Sequence, residues 1–129
     1  MKTHLSFAAR DLDRSIAFYA TLLGTPPEKS LPDYALFVTD DPGLELALER
    51  DPHARASDGQ HFGLVVDTIE AVEAQSARLQ SAGYAVDIER EETCCYANQT
   101  KVWASDPDGR RWETYVVHAE TEDRSACCP

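Results

Sequence analysis

At 129 residues, with 43% apolar and 27% charged residues, the chain has the composition of a soluble globular protein, and the length for one domain or two small halves sharing a core. A net charge of −11 offers no basic stripe to phosphates and disfavours an anionic membrane surface, so neither nucleic acid nor membrane is expected as a partner. No apolar run approaches the length of a membrane span, and Met1-Lys2-Thr3-His4 leads directly into a strand pattern, so no signal peptide and a cytoplasmic location are expected.

The first strand is expected over 2–8. Arg10-Asp11 then opens a helix, with Asp11 able to cap its free amides. Leu12, Ile16, Tyr19, Ala20 and Leu23 give that helix one apolar face; Gly24 stops it and Pro26-Pro27 prevent continuation. Strands are expected around 28–30, over 34–39 and over 44–49, with the turn Asp40-Asp41-Pro42-Gly43 between the last two. Leu44, Leu46 and Leu48 alternate with Glu45, Ala47 and Glu49, the pattern of a half-buried strand. The polar stretch 50–59 reads as a linker. The pattern then restarts: a strand over 60–66, and a helix opened by Asp67 and Glu70 as a capping box and closed by Gly83, with Ile69, Val72, Leu79 and Ala82 on its apolar side. Strands follow over 86–91, 100–105 and 111–117, and Asp106-Pro107-Asp108-Gly109 supplies the last turn.

The order βαβββ thus occurs twice, which predicts an α+β protein of two βαβββ modules made by internal duplication. The expected boundaries are module one at 1–50, a linker at 51–59, module two at 60–118 and an acidic, cysteine-containing tail at 119–129.

Three residues carry the pattern of a metal site. His4 begins the first module and His61 the second, and Glu113 stands in a strand otherwise apolar and aromatic. A buried carboxylate without a partner is costly, so Glu113 needs a cation or donors. Two imidazoles and one carboxylate occupy one face of an octahedral ion and leave positions open, the arrangement of non-haem Fe(II) oxygenases. Taken singly, the same residues also read as a solvated near-terminal histidine, a satisfied core histidine and a glutamate facing water.

The four cysteines come as neighbours, Cys94-Cys95 and Cys127-Cys128, rather than spaced as a disulfide framework. A disulfide between neighbours closes a strained ring, so in a reducing compartment these are expected to be free thiols open to a soft ion. Neighbouring side chains of a straight strand point to opposite faces. Two sulfurs on one atom therefore require a bend at Cys94-Cys95, and a loop that moves over 91–101 is expected there. Lys101 reads as an exposed lysine, or one that lowers a thiol pKa or anchors the loop.

The doubled βαβββ order, the histidines at strand starts and the segment DPDGRRWE resemble the vicinal oxygen chelate superfamily, which includes glyoxalase I, extradiol dioxygenases and bleomycin or fosfomycin resistance proteins. The resemblance covers 1–118. It implies metal ligands from the first strand of each module and the last strand of the second: His4, His61 and Glu113. Glyoxalase-type members add a fourth ligand from the last strand of the first module, where Glu45 is the candidate.

EETCCYANQTKVWASDPDGRRWE is further similar to the organoarsenical carbon–arsenic lyases and the related cadmium-inducible proteins. This implies an Fe(II)-dependent dioxygenase in which Cys94 and Cys95 hold a trivalent methyl or aryl arsenical, with dioxygen as co-substrate and arsenite as product. Such an enzyme serves arsenic detoxification, as a monomer or homodimer. Two other readings stand beside it: a thiol protein that sequesters cadmium or arsenite, and a glyoxalase-like metalloenzyme using Glu45. Cys127-Cys128 passes arsenic on, binds surplus metalloid or does nothing.

Overall fold

A computed structural model describes residues 1–94 and 97–120 and, for residues 92–94, 97 and 120, the backbone alone. The elements run β1 (Thr3–Ala9), α1 (Leu12–Leu23), β2 (Lys29–Leu31), β3 (Tyr34–Asp40), β4 (Gly43–Arg50), β5 (His61–Val65), α2 (Ile69–Ser81), β6 (Asp87–Cys94), β7 (Ala97–Ser105) and β8 (Arg111–Glu120). The expected βαβββ order is present twice. Residues 51–60 carry neither helix nor strand. Among the described residues, no helix is long and apolar enough to cross a membrane.

Contacts divide the chain into two compact units, Met1–Ser57 with Asp106–Arg110, and Asp58–Ser105 with the chain from Arg111 onward. The turn between β7 and β8 therefore counts with the first unit, although it lies inside the second sequence module.

The first unit holds a four-stranded sheet in the order β1-β4-β3-β2, with β1 parallel to β4 and the other neighbours antiparallel. Asp11 caps α1 by accepting from the Arg14 amide, and Gly24 ends it in the left-handed region. The face that α1 buries is Leu12, Ser15, Phe18, Tyr19 and Leu22, rotated from the expected stripe. Ile16, Ala20 and Leu23 are only half-buried, because Phe18 and Leu22 draw the larger apolar side chains inward. Phe18 and Tyr19 meet edge to face at 5.1 Å. The buried Tyr19 hydroxyl donates to Asp106 Oδ2 at 2.6 Å. Asp106 also accepts from the amides of Asp108 and Arg110, and the Arg110 guanidinium pairs with it at 3.1 Å. DPDG is thus a turn tied together by its first carboxylate.

The second unit repeats the plan in the order β5-β8-β7-β6, with β5 parallel to β8. Its helix is capped by Thr68, whose hydroxyl accepts from the Ala71 amide, not by the Asp67–Glu70 box. Thr68 stands three residues before a free first-turn amide, the spacing a cap needs. α2 buries Val72, Gln75, Ser76 and Leu79, while Ile69 is 38% exposed. Val72 packs with Val102 of β7 and Val116 of β8, and Gln75 Nε2 donates to Thr114 Oγ1. Because side chains alternate along a strand, Val102, Thr114 and Val116 mark the face toward α2, and the residues between them occupy the opposite face.

The expected loop at 91–101 is largely strand. β6 extends to Cys94 and β7 begins at Ala97, with Cys94 paired to Ala97. Backbone pairing holds this hairpin without the apolar alternation by which a half-buried strand is recognised. Cys94 accordingly ends a strand, whereas Cys95 lies outside the described residues, as do Cys127 and Cys128. Among the described residues an irregularity falls upstream: the β6–β7 register shifts between Glu89 and Glu92, and Glu91 has φ 48°. Thr100 Oγ1 accepts from the Glu91 amide, and the Asn98 side chain donates to the Glu91 carbonyl.

Candidate metal centre

Each unit places one histidine beside one glutamate on its parallel strand pair. In the second unit, the turn after β7 sets Ser105 opposite Arg111, which puts Trp103 opposite Glu113 and Lys101 opposite Tyr115. On the other side of β8, Glu113 faces Gly63 of β5, two residues from His61. His61, Glu113, Lys101, Trp103 and Tyr115 therefore share the face turned away from α2. His61 Nε2 lies 3.5 Å from Glu113 Oε2. Bonds of about 2.1 Å from imidazole nitrogen and carboxylate oxygen let one ion bridge that gap. An imidazole and a carboxylate suit a divalent first-row metal such as iron.

In the first unit His4 is the direct register partner of Glu45, and His4 Nδ1 lies 3.5 Å from Glu45 Oε1. Both side chains are well exposed there, at 58% and 43%. The two histidines are strand-start residues, as expected, but their registers differ: His4 is opposite its glutamate, whereas His61 stands two residues before the position opposite Glu113. Within either unit, among the described residues, no three His, Cys, Asp or Glu side chains gather as metal ligands.

Glu113 is buried, 6% exposed, and its second oxygen is engaged as well. Lys101 Nζ donates to Glu113 Oε1 at 3.4 Å. Lys101 is not the surface lysine the sequence suggests; it is 2% exposed. Its ammonium also lies 5.4 Å from the centre of the Trp103 ring and 5.3 Å from that of Tyr115, both within cation–π range. Burial, then the Glu113 carboxylate, push the Tyr115 phenol above its ordinary pKa, so it stays protonated at neutral pH. Trp103 is fixed by its indole N–H donating to Glu89 Oε1 at 2.6 Å, by the Arg111 guanidinium over its ring, and by the edge-on His61 ring at 5.3 Å. Trp103 and Arg111 also line a cavity of about 320 Å³ with Tyr84, Ala85, Val86 and Asp87. Sequence reading passed over Trp103 and Tyr115 and did not connect Lys101 with Glu113. The signal was available in the turn: once DPDG fixes the hairpin register, Lys101 and Trp103 must flank Glu113.

Gly63 is small for a reason of space. A Cβ there would stand 3.0 Å from Tyr115 Cε1 and 3.3 Å from Glu113 Cγ. Gly63→Ala is expected to press on both side chains, cost about 1–3 kcal/mol as overpacking does, and weaken divalent-ion binding with it. Urea unfolding and a metal titration of the variant measure the two effects.

Comparison with known proteins agrees with this architecture. The model of the Glyoxalase/Bleomycin resistance protein/Dioxygenase superfamily matches residues 3–114. A "Trivalent organoarsenical cleaving enzyme" from Thermomonospora curvata is 38% identical over 132 residues, covering 98% of this chain and 87% of its own. A "Probable trivalent organoarsenical cleaving enzyme" from Bacillus subtilis is 36% identical, covering 97% and 88%. A "Cadmium-induced protein CadI" from Mycobacterium bovis is 39% identical over 121 residues, covering 94% and 79%. Among solved structures, a glyoxalase/bleomycin resistance protein/dioxygenase from Alicyclobacillus acidocaldarius superposes with a TM-score of 0.73 at 21% identity, covering 92% of each chain, which shows the shared fold. The duplicated βαβββ plan and the family match over most of its length place this chain in the glyoxalase/bleomycin resistance protein/dioxygenase superfamily.

Proposed function

We propose that the protein is an Fe(II)-dependent dioxygenase that cleaves the carbon–arsenic bond of trivalent organoarsenicals and releases arsenite. The observation that carries the metal site is the His61–Glu113 pair, an imidazole nitrogen and a buried carboxylate oxygen 3.5 Å apart on adjoining parallel strands. The superfamily resemblance implies His4 as the third ligand. The names of the relatives from Thermomonospora curvata and Bacillus subtilis support the substrate class.

A ferrous ion held there supplies open coordination positions and redox access to dioxygen. The side chains around it do the rest. Cys94 and Cys95 are the thiols expected to take up trivalent arsenic: two thiolates would replace its two hydroxides and leave the carbon substituent free. His61 and Glu113 would hold the ion. Trp103 holds the His61 ring edge-on, and so limits its rotation. The aromatic wall of buried Trp103 and half-buried Tyr115 shields the carboxylate from water.

The test is anaerobic loading with Fe(II), followed by phenylarsenous acid in air. The expected result is dioxygen consumption and inorganic arsenite, neither of which occurs without iron. Arsenic binding without either would leave a sequestering protein.

The His4–Glu45 contact supports a second reading, a glyoxalase-like enzyme in which Glu45 is a fourth ligand. Turnover of a hemithioacetal with Ni²⁺ or Zn²⁺, lost in Glu45→Gln, would favour it.

A further inference from the structure

We propose that Lys101 is the resident counter-ion of Glu113. Its ammonium holds Oε1 of the buried carboxylate in the metal-free protein, leaves Oε2 beside His61 as the oxygen for a divalent ion, and weakens the hold on that ion. The last clause rests on the metal reading above; the first does not.

The two oxygens of Glu113 are divided between two partners. Oε1 is 3.4 Å from Lys101 Nζ and Oε2 is 3.5 Å from His61 Nε2. A buried carboxylate without a cation is costly, and here the cation is part of the chain. Lys101 is itself shielded from water, and beyond Glu113 its ammonium is set against the rings of Trp103 and Tyr115. It is thus committed to this site, not to solvent.

Two consequences follow. The second unit does not need a metal to satisfy Glu113, so it folds metal-free with the carboxylate already turned. A divalent ion arriving at Oε2 then shares one carboxylate with an ammonium, and like charges on one partner disfavour each other. Lys101 trades metal affinity for a pre-set ligand. It also keeps Oε1 occupied, which makes Glu113 a one-oxygen ligand and leaves coordination positions for other groups.

The experiment compares the full-length wild type, Lys101→Met and Lys101→Met/Glu113→Gln, each stripped of metal. Thermal unfolding is followed with and without Mn²⁺. Mn²⁺ binding is measured from the loss of the free-ion EPR signal; this ion favours oxygen and nitrogen donors over the thiols. Lys101→Met is expected to lower Tm by about 10 °C without metal, because it strands a buried charge. The double variant should recover most of that loss. Lys101→Met should also bind Mn²⁺ about tenfold more tightly than wild type and regain its Tm at saturation, since a repelling charge is gone.

An unchanged Tm in Lys101→Met, or a double variant that recovers nothing, overturns the counter-ion role. Mn²⁺ binding no tighter than in wild type overturns the competition. If Lys101→Met does not fold, a folded double variant supports the proposal and an unfolded one overturns it. If wild type binds no Mn²⁺ while the loss and its recovery are both seen, Lys101 keeps its role and the metal reading of His61 and Glu113 is what fails.

Discussion

His61→Ala and Glu113→Gln are each expected to abolish tight Fe(II) binding, and turnover with it, while the chain stays folded. His61 is expendable for folding because its side chain is 37% exposed and its contacts are a 3.5 Å approach to Glu113 and a T-shaped contact with Trp103. Glutamine is the better replacement for Glu113 than alanine. It keeps an oxygen for the Lys101 ammonium, whereas alanine leaves that ammonium buried and alone, at about 3–5 kcal/mol. If a complete structural zinc site is worth roughly 10–16 kcal/mol, one donor of three accounts for about 3–5 kcal/mol, or a 10²- to 10⁴-fold loss of affinity. His4→Ala is expected to fall in the same range as the third ligand. The measurements are iron content after anaerobic loading and arsenite release under saturating dioxygen. Full occupancy and normal turnover in any one variant would remove that residue from the centre.

Much of the frame was legible in the sequence because punctuation and period agreed. Asp11 and Gly24 bracket α1 as cap and stop, and the alternation of Leu44, Leu46 and Leu48 marks β4. What was not legible depends on the third dimension. Asp67 and Thr68 are both competent caps one residue apart, and only the helix start decides between them. The β6–β7 hairpin carries no apolar stripe through Glu92 to Asn98, so its backbone pairing left no trace in hydropathy. Lys101 is the clearest case. A lysine in a polar stretch reads as solvated. Its burial follows from the diagonal relation to Glu113 across β7 and β8, which exists only once the register is set. The same carboxylate that suggested a metal was thus already answered by a cation twelve residues away. His61 and Glu113 were legible as a pair; the way Glu113 divides its two oxygens was not.

Cys94→Ser and Cys95→Ser are each expected to reduce carbon–arsenic cleavage by more than about 10²-fold, the scale of a lost positioning group, and to leave Fe(II) binding intact. Serine keeps the size of the side chain and loses the soft sulfur donor. One remaining thiolate holds arsenic by a single bond, about which the carbon substituent turns freely; two fix it. Distance along the hairpin adds a demand. Cys94 pairs with Ala97, whereas Glu113 pairs with Trp103, six residues further along β7. At about 3.3 Å per residue the two rows lie roughly 20 Å apart. On the proposed function, arsenic captured by the thiol pair would have to be carried to the metal by a change in the hairpin. The register breaks at Glu89/Glu92 and at Asn98/Gln99 are where its ladder is already interrupted. Stoichiometric phenylarsenous acid should protect the wild-type amides on either side of those breaks from hydrogen exchange, and should not do so in either serine variant. Cys127→Ser with Cys128→Ser should keep at least partial cleavage and the same protection. A tail variant that is inactive beside an active Cys94→Ser would transfer the arsenic site to Cys127-Cys128.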